Sequence, residues 1–273
     1  MIVTSGLVGY WHYSQVNGAV WENIAPGREG QFNGDIVGGV VQDDGMYFDG
    51  SSYVSVPALG LTGDTTIEAR FTFDSSLTTT MNPHIVGGNG NHILRLNRTT
   101  NSMQYVIGTS IRASKPLVTE PNTWYHVVAA YNYTLNRVDF YINGSHAGFY
   151  EDPAAVKQIW DQIFHIGKRQ NSADSSLYHK GKIAALRFYN KPLSEQEVLQ
   201  NYQMGGSVGL SSDGIIAKWF TSGVLQIKGE LIEGSQNVSF KQNGDLHVQE
   251  LSEGSTSVKS NLFEVTEFIE GAL

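Results

Sequence analysis

Short segments of alternating apolar and polar residues, separated by turns that contain glycine, recur along the first 205 residues. The clearest segment is 67–73, Ile-Glu-Ala-Arg-Phe-Thr-Phe, whose period of two is typical of a strand with one buried face. Residues 124–131 are apolar on both faces and predict a central strand, and 183–189 predict another. Residues 138–142 run into Asn143-Gly144, a dipeptide that favours a tight hairpin because both residues tolerate positive φ. This pattern predicts an all-β domain, a β-sandwich or jelly roll.

Composition supports this fold class and excludes several functions. The chain has 30 glycines in 273 residues, and only 16% of its residues are charged. A net charge of −8 argues against nucleic-acid binding, which depends on Lys and Arg at the phosphates. The absence of cysteine excludes disulfides, a thiol nucleophile and cysteine metal sites. We find neither a membrane-spanning apolar run nor the basic start of a signal peptide, and we therefore expect synthesis in the cytoplasm and no membrane insertion.

Two segments carry helical signals. Asp152-Pro153, with apolar residues at 156, 159 and 163, predicts one short helix. The sequence 194–197, Ser-Glu-Gln-Glu, is a capping box flanked by Leu193 and Val198 at the hydrophobic-staple positions, and it predicts a helix over 195–203. The glycines that follow mark a domain boundary, so we expect a jelly roll over 1–205 and a second domain over 206–273.

The second domain contains an internal repeat. Residues 230–234, Glu-Leu-Ile-Glu-Gly, recur in related form at 250–254 and 267–271. Each unit predicts a hairpin, and a lone hairpin of this length is marginally stable in water. The units are therefore expected to attach to another protein or to associate as a homotrimer, with packing of the tail on its own jelly roll as the alternative. The expected contact positions are Leu210, Phe220, Leu231, Leu251 and Phe268.

A series of motifs in the first domain carries a family resemblance. The motifs lie in order at 6–11, 47–56, 66–69, 122–128, 140–144, 165–167, 181–189 and 192–195. The series resembles the concanavalin A-like lectin/glucanase jelly rolls of the laminin-G and pentraxin type. The resemblance implies a jelly-roll fold and binding of carbohydrate or protein, and some members of the superfamily are glycoside hydrolases.

The metal ligands of this family are not matched. The family often holds a structural calcium through an Asp before the first glycine-rich loop and another in the closing strand, where this chain has Asn23 and Ala184. Calcium prefers carboxylate oxygens, and Ala offers no ligand. The eight histidines lack the spacing of a zinc site. We therefore expect no metal and no cofactor.

The carboxylates of the hydrolase members are not matched either. Laminarinase-like members carry Glu-x-Asp-x-x-Glu on one strand, whereas Glu68 is followed by Ala-Arg-Phe. Glycoside hydrolysis needs a pair of carboxyl groups across the scissile bond. The expectation from sequence is a protein that is not an enzyme.

Candidate ligand-binding residues come from polar loops and from tryptophans off the family core strands. The loop 82–92 is rich in Gly, Asn and His, and it is interpreted either as a sugar-contacting rim or as a flexible turn. Tryptophans outside the core strands offer ring faces on which a sugar can stack. The candidates are Trp21, Arg28, His84, Asn89, Asn91, His92, Trp160 and Tyr178.

The chain end suggests a setting. Residues 267–270, Glu-Phe-Ile-Glu, resemble C-terminal segments of bacteriophage tail, fibre and other virion proteins. The expectation is a virion protein whose jelly roll binds a host-surface glycan or a neighbouring virion protein. The alternatives are an architectural decoration or tail-joining subunit without a ligand, and a glycoside hydrolase with unrecognised acids.

Overall fold

A computed structural model describes residues 2–78, 80–88, 93–107, 110–151, 159–170 and 172–204, together with six short strands between 216 and 265. The chain divides into two units, Met1–Tyr202 and Gln203–Leu273. The predicted boundary at 205/206 lies outside the described residues. Within the described part, no helix has the length and apolar character required to cross a membrane.

The first unit is built almost entirely from antiparallel strands. It also holds a 3₁₀ helix, Ser175–Leu177, and one α-helix, α1, which begins in this unit and spans Glu195–Met204. The strands are β1 (Leu7–Asn17), β2 (Val20–Asn23), β3 (Gly34–Val37), β4 (Val40–Gln42), β5 (Gly45–Asp49), β6 (Tyr53–Val56), β7 (Leu61–Thr62), β8 (Thr65–Phe71), β9 (His84–Gly88), β10 (Ile93–Asn97), β11 (Ser102–Ile107), β12 (Ser110–Pro116), β13 (Tyr125–Asn132), β14 (Arg137–Ile142), β15 (Ser145–Glu151), β16 (Ile159–Trp160), β17 (Phe164–Ile166) and β18 (Lys180–Tyr189).

The strands form a β-sandwich, which confirms the predicted fold class. Their order along the sheet is β12-β11-β10-β9-β17-β6-β3-β2-β1-β18-β8-β13-β14-β15, and β5 joins β4 to β18. One apolar core collects side chains from both halves of this path, so the two halves face each other. Core residues include Val54, Ile85, Val86, Leu94 and Phe164 from one half, and Trp11, Ile67, Phe71, Val127, Phe140 and Phe188 from the other.

Several local predictions are confirmed. The hairpin between β14 and β15 turns at Asn143 and Gly144, whose φ values are +50° and +79°, as a tight hairpin turn requires. Strand β13 lies between β8 and β14, and Tyr125–Tyr131 is buried throughout. The capping box also forms, because the Ser194 N–H donates to Glu197 Oε2 at 2.9 Å and the Glu197 N–H points to Ser194 Oγ at 3.4 Å.

The prediction of a helix after Asp152-Pro153 is wrong for the part of the segment that the structure describes. Residues 159 and 160 form β16, which pairs with β7, and residues 152–158 lie outside the described part. The β-branched Ile159 and aromatic Trp160 suit a strand, and the pairing with β7 outweighs the helical start signal.

Strand β8 differs from the half-exposed strand that its alternation predicts. Its polar face is covered as well, so that Thr66 and Glu68 are 0% and 1% exposed. The cover includes α1 and the residues before it, since Asn201 donates to Glu68 and the Leu193 N–H donates to Thr66 Oγ1 at 3.0 Å. A polar strand face is therefore buried against polar groups from a distant segment.

The second unit contains three pairs of short antiparallel strands among its described residues. They are β19 (Ile216–Trp219) with β20 (Leu225–Lys228), β21 (Val238–Ser239) with β22 (His247–Val248), and β23 (Val258–Lys259) with β24 (Glu264–Val265). The five predicted contact positions Leu210, Phe220, Leu231, Leu251 and Phe268 lie outside the described residues. The hairpin repeat and its trimeric association stay predictions.

Candidate functional site

Two tryptophans predicted at the rim are buried in the core. Trp21 and Trp160 are 0% and 2% exposed, so neither ring can stack on a sugar and their prediction as rim residues is wrong. The Trp21 indole N–H donates to the His12 carbonyl oxygen at 2.7 Å, and the Trp160 ring packs against Phe188 with centroids 4.9 Å apart. Both rings belong to the apolar core although they lie outside the family core strands.

In the predicted loop 82–92, the structure describes one of the candidate ligand-binding residues, His84, and its side chain is buried. His84 is 0% exposed, and its Nδ1 lies 2.7 Å from the Asn82 carbonyl oxygen. Burial, reinforced by the nearby Arg95, lowers its pKa to about 3, so the ring is neutral. Prediction of His84 as a surface ligand contact is therefore wrong, while Asn89, Asn91 and His92 lie outside the described residues.

Arg28 and Tyr178, the remaining candidates, are at least partly exposed. Arg28 stands in the exposed loop 26–30, with its guanidinium carbon 6.0 Å from the centroid of the Phe32 ring. Tyr178 follows the 3₁₀ helix and joins a cluster of half-buried side chains on the outer face of the sheet. That cluster offers the better binding geometry.

We call this cluster the tyrosine surface; it consists of Tyr53, His165, Lys168 and Tyr178. The Tyr53 and His165 rings are 4.8 Å apart between centroids, and those of Tyr53 and Tyr178 are 6.5 Å apart in an edge-to-face arrangement. Lys168 Nζ lies 4.2 Å from the Tyr53 centroid and 5.1 Å from that of Tyr178. The ammonium group is therefore held against two aromatic rings by cation–π attraction.

Strand alternation places Tyr53 and His165 on one face. On β6, Val54 and Val56 are buried in the core, so Tyr53 and Ser55 point outwards. His165 on β17 pairs directly with Ser55 and shares that outer face.

A glycine brings Lys168 close to the sheet. The segment 168–169 lies directly on the backbone of Gly87 in β9, where an added Cβ would approach Arg169 Cα to 2.6 Å. Only glycine lets the loop pass this close to the strand. The close approach fixes the position from which the Lys168 side chain reaches Tyr53.

The electrostatics of the tyrosine surface suit a polar, hydroxyl-bearing ligand. Burial and the Lys168 charge lower the pKa of His165 to about 4, so its imidazole is neutral at pH 7; its Nδ1 is buried, which leaves Nε2 to donate or accept a hydrogen bond. Lys168 adds a charged donor, and Tyr53 and Tyr178 add phenol groups and ring surface. This mixture of flat apolar surface and hydrogen-bonding groups matches the two kinds of surface on a sugar ring.

Sequence reasoning identified Tyr178 and missed the other three residues. The alternations Tyr-Val-Ser-Val at 53–56 and Phe-His-Ile at 164–166 do indicate which side chains point outwards. They cannot indicate that β6 and β17 are neighbours, because these strands are far apart in the sequence: β6 ends at Val56 and β17 begins at Phe164. Lys168 depends on the same long-range pairing.

At the family's calcium positions, the structure shows an amide committed to the backbone. Asn23 Oδ1 accepts hydrogen bonds from the backbone N–H groups of Tyr10 at 2.7 Å and Ala25 at 3.1 Å, while its Nδ2 donates to the Val8 carbonyl oxygen at 3.2 Å. The residue is 1% exposed. Among the described residues, no group of three or more His, Asp or Glu side chains is placed to hold a metal ion.

We expect EDTA to leave the melting temperature of the protein unchanged. The side-chain oxygen of Asn23 already accepts hydrogen bonds from two backbone N–H groups, and Ala184 has no side-chain oxygen to bind calcium. Differential scanning fluorimetry with EDTA, and then with added calcium, measures this. A fall of several degrees that calcium restores would show that other carboxylates bind the ion and stabilise the fold.

A family comparison decides the superfamily. A family model described as "Concanavalin A-like lectin/glucanases superfamily", Laminin_G_3, matches residues 48–199, more than half of the chain. The chain belongs to this superfamily. The match includes β6, β17 and the loop before β18, and therefore the whole tyrosine surface. No curated protein matches the sequence.

Solved structures with the same fold include parts of two carbohydrate-related proteins. A Trypanosoma rangeli sialidase aligns at 20% identity and a TM-score of 0.55, over 72% of this chain and 32% of the sialidase. Domain 4 of an extracellular arabinanase from Geobacillus stearothermophilus, in complex with arabinotriose, aligns at 17% identity and a TM-score of 0.55, over 73% of this chain and 99% of that domain. This chain thus corresponds to about a third of the sialidase.

These comparisons contradict the prediction that the chain is not an enzyme. The sialidase is an enzyme, and the second structure is a domain of one. The prediction relied on one motif of the laminarinase-like members, and a single motif does not represent the enzymes that contain this fold. At 17–20% identity the similarity shows a shared fold and assigns no reaction to this chain.

Proposed function

We propose that the first unit binds carbohydrate and that the tyrosine surface is its binding site. Membership in the lectin/glucanase superfamily supports the class of ligand, and a domain of the same fold is known in complex with arabinotriose. The observation that carries the proposal is the grouping of Tyr53, His165 and Tyr178 around the Lys168 ammonium on an outer sheet face.

The geometry suggests how a sugar is held. The apolar face of a pyranose or furanose ring packs on the Tyr53 or Tyr178 ring, which are both half-buried and held in place by their neighbours. Hydroxyl groups at the sugar edge receive hydrogen bonds from Lys168 and exchange them with the neutral His165. Because the rings are already packed together, little side-chain entropy is lost on binding.

We expect Tyr53→Ala and Tyr178→Ala each to weaken glycan binding tenfold or more, because each removes a ring from the surface and loosens Lys168. A glycan array identifies a ligand, and titration calorimetry then gives the affinities of the full chain and its variants. Tyr133→Ala is the matched control, since Tyr133 is a 37% exposed tyrosine on the loop between β13 and β14. Unchanged affinity in both site variants, measured with folded protein, would contradict this assignment.

Each glycan that binds is also incubated with the protein and assayed for released reducing ends. This measurement follows from the enzymes among the structures that share the fold. Release of reducing ends would show that the tyrosine surface is an active site. Carboxyl groups near it would then be replaced, beginning with the exposed Asp35 on β3.

We further propose that the protein works in a bacteriophage particle, made in the host cytoplasm, where its partners are a cell-surface glycan or other virion proteins. The support is the sequence repeat at 230–234, 250–254 and 267–271 and the resemblance of residues 267–270 to segments of virion proteins. In this proposal the repeats trimerise or attach the chain, and the first unit displays the glycan site.

The association is tested by light scattering. We expect the full chain to be a trimer and a chain ending at Gly206 to be a monomer, because the apolar repeat positions need a second layer to cover them. If both the full chain and the shortened chain are monomers at micromolar concentration, or if the oligomer persists without the repeats, this part of the proposal is contradicted. Mass spectrometry of purified particles tests the virion location.

A further inference from the structure

A second group of side chains crosses the other half of the sandwich. His12, Ala185, Arg70 and His126 are direct cross-strand partners on β1, β18, β8 and β13. Directly opposed residues in an antiparallel sheet share a face, so these four form one row on its outer side. We call it the arginine row.

Helix α1 covers the neighbouring row. There Glu68 is buried, and Asn201 in α1 donates to its Oε2 at 2.7 Å. At the end of the helix, the Tyr202 ring lies 5.4 Å from His126 between centroids and is 40% exposed. Arg70 and His12 in the arginine row remain half-buried and reach solvent.

Arg70 is a half-buried cation that forms no direct ion pair among the described residues; the Asp44 carboxylate, which is paired with Lys182 at 2.6 Å, acts on it only from further away. Its guanidinium carbon lies 5.1 Å from the centroid of the Trp124 ring. Burial and the positive charge of Arg187 lower the pKa of Arg70. Arg187, by contrast, is paired with Glu68. An anion that approaches this partly desolvated cation from the solvent favours its charged form.

His12 adds a neutral hydrogen-bonding group beside Arg70. Burial, with Arg187 and Arg70 nearby, lowers the pKa of His12 to about 4, so the ring is uncharged at pH 7. Its Nδ1 lies 2.7 Å from Ser14 Oγ, while Nε2 has no partner among the described residues. The imidazole can therefore contact a hydroxyl group, while Arg70 favours an anion.

We propose that Arg70, Trp124 and His12 form a second saccharide site, one that selects sugars carrying a carboxylate. The planar guanidinium matches a carboxylate through two parallel N–H···O bonds, which fixes its orientation as well as its charge. The half-buried Trp124 ring supplies the apolar contact for the sugar ring, and His12 serves a hydroxyl group. This site lies on different strands from the tyrosine surface and stands or fails independently of it.

The test uses the full chain and three soluble probes in titration calorimetry: sialyllactose, trigalacturonic acid and lactose. We expect one or both acidic probes to bind more tightly than lactose, and the tighter one identifies the source of the carboxylate. Arg70→Gln should weaken that binding at least tenfold, and Arg70→Lys should weaken it less. Arg137→Gln should leave the binding unchanged, because Arg137 lies at the start of β14, where it pairs with Asn132 at the end of β13 that is distant from His126.

Stability is followed in parallel, so that loss of binding is separated from loss of folding. Arg70→Gln should keep or raise the melting temperature, because it removes a half-buried charge whose pKa is lower in the folded protein than in the unfolded chain. Equal affinity for lactose and both acids, or unchanged affinity in Arg70→Gln, would overturn the proposal. So would an acidic peptide that binds as tightly as the sugars, or acid binding that Tyr178→Ala abolishes and Arg70→Gln does not.

Discussion

Replacing Glu68 by Ala is expected to lower the free energy of unfolding by about 3–5 kcal/mol, the cost of breaking a buried ion pair from one side. Glu68 is 1% exposed, and its Oε1 accepts hydrogen bonds from Arg187 Nη1 and from His126 Nε2 at 2.9 Å. Without the carboxylate, the 4% exposed Arg187 side chain keeps its charge in the protein interior with no counter-ion. Urea unfolding monitored by tryptophan fluorescence measures the loss.

The effect extends beyond the ion pair, because Glu68 also anchors two chain segments. Asn201 Nδ2 donates to Glu68 Oε2 at 2.7 Å and to Tyr189 Oη at 2.8 Å, and Asn201 Oδ1 accepts from the Val3 N–H at 2.8 Å. The carboxylate thus helps to hold α1 and the N-terminal segment on the sheet. Glu68→Ala should therefore also increase amide hydrogen exchange in both segments.

Two further variants separate the pair from general damage. Glu120→Gln changes an exposed glutamate and should shift stability by only about 0.5 kcal/mol. Combining Glu68→Ala with Arg187→Met removes both charges and should recover part of the loss, because an apolar replacement of a buried pair is often close to neutral. A single variant as stable as the original protein would show that the pair contributes nothing net.

The same carboxylate produces a specific pH dependence. Burial disfavours its ionised form, but the Arg187 charge and the hydrogen bonds from His126 and Asn201 outweigh burial and lower the pKa of Glu68 from 4.5 to about 2. A depressed folded-state pKa gives stability that is complete above the unfolded value and declines as pH falls towards the folded one. The original protein should therefore lose stability between about pH 4.5 and 2, and Glu68→Gln should show a shallower decline there.

The Glu68 network also shows what the sequence can and cannot predict. Alternation in 67–73 correctly predicts the strand and its inner face, because the period of two is a local property. The capping box likewise predicts α1. Neither pattern indicates that α1 lies on the polar face of that strand, since the contact joins residues 133 positions apart. The sequence signal for a solvent-exposed polar face and that for a buried polar network are the same.

The candidate site was predictable to a smaller extent for the same reason. Tyr178 was identified from its loop, whereas its partners Tyr53 and His165 come from strands that are distant in sequence and adjacent in the sheet. The superfamily could be inferred because its motifs are local and ordered. A binding surface assembled from several strands depends on their order, which no single segment encodes.

Burial of Trp21 and Trp160 leads to the second large effect: Trp21→Ala and Trp160→Ala should each destabilise the protein by about 3–5 kcal/mol. Each removes a large ring from a closely packed core and leaves a cavity that the sandwich cannot fully close. Trp21→Ala also leaves the His12 carbonyl oxygen without the indole donor at 2.7 Å. Trp160→Ala opens the contact with Phe164 and Phe188, whose centroids lie 5.4 and 4.9 Å from its ring.

Conservative replacements and a half-buried tryptophan serve as controls. Trp21→Phe and Trp160→Phe should cost clearly less than the alanine variants, because most of the ring volume is retained. Trp124→Ala, at a half-buried tryptophan, should also cost less. Urea unfolding gives the stabilities, and glycan binding is measured on the fraction that remains folded. Alanine variants of Trp21 and Trp160 that keep full stability but lose glycan binding would place both rings at a ligand-binding rim. Variants that lose stability but keep their affinity for the glycan place both rings in the core, where they hold the two halves of the sandwich together.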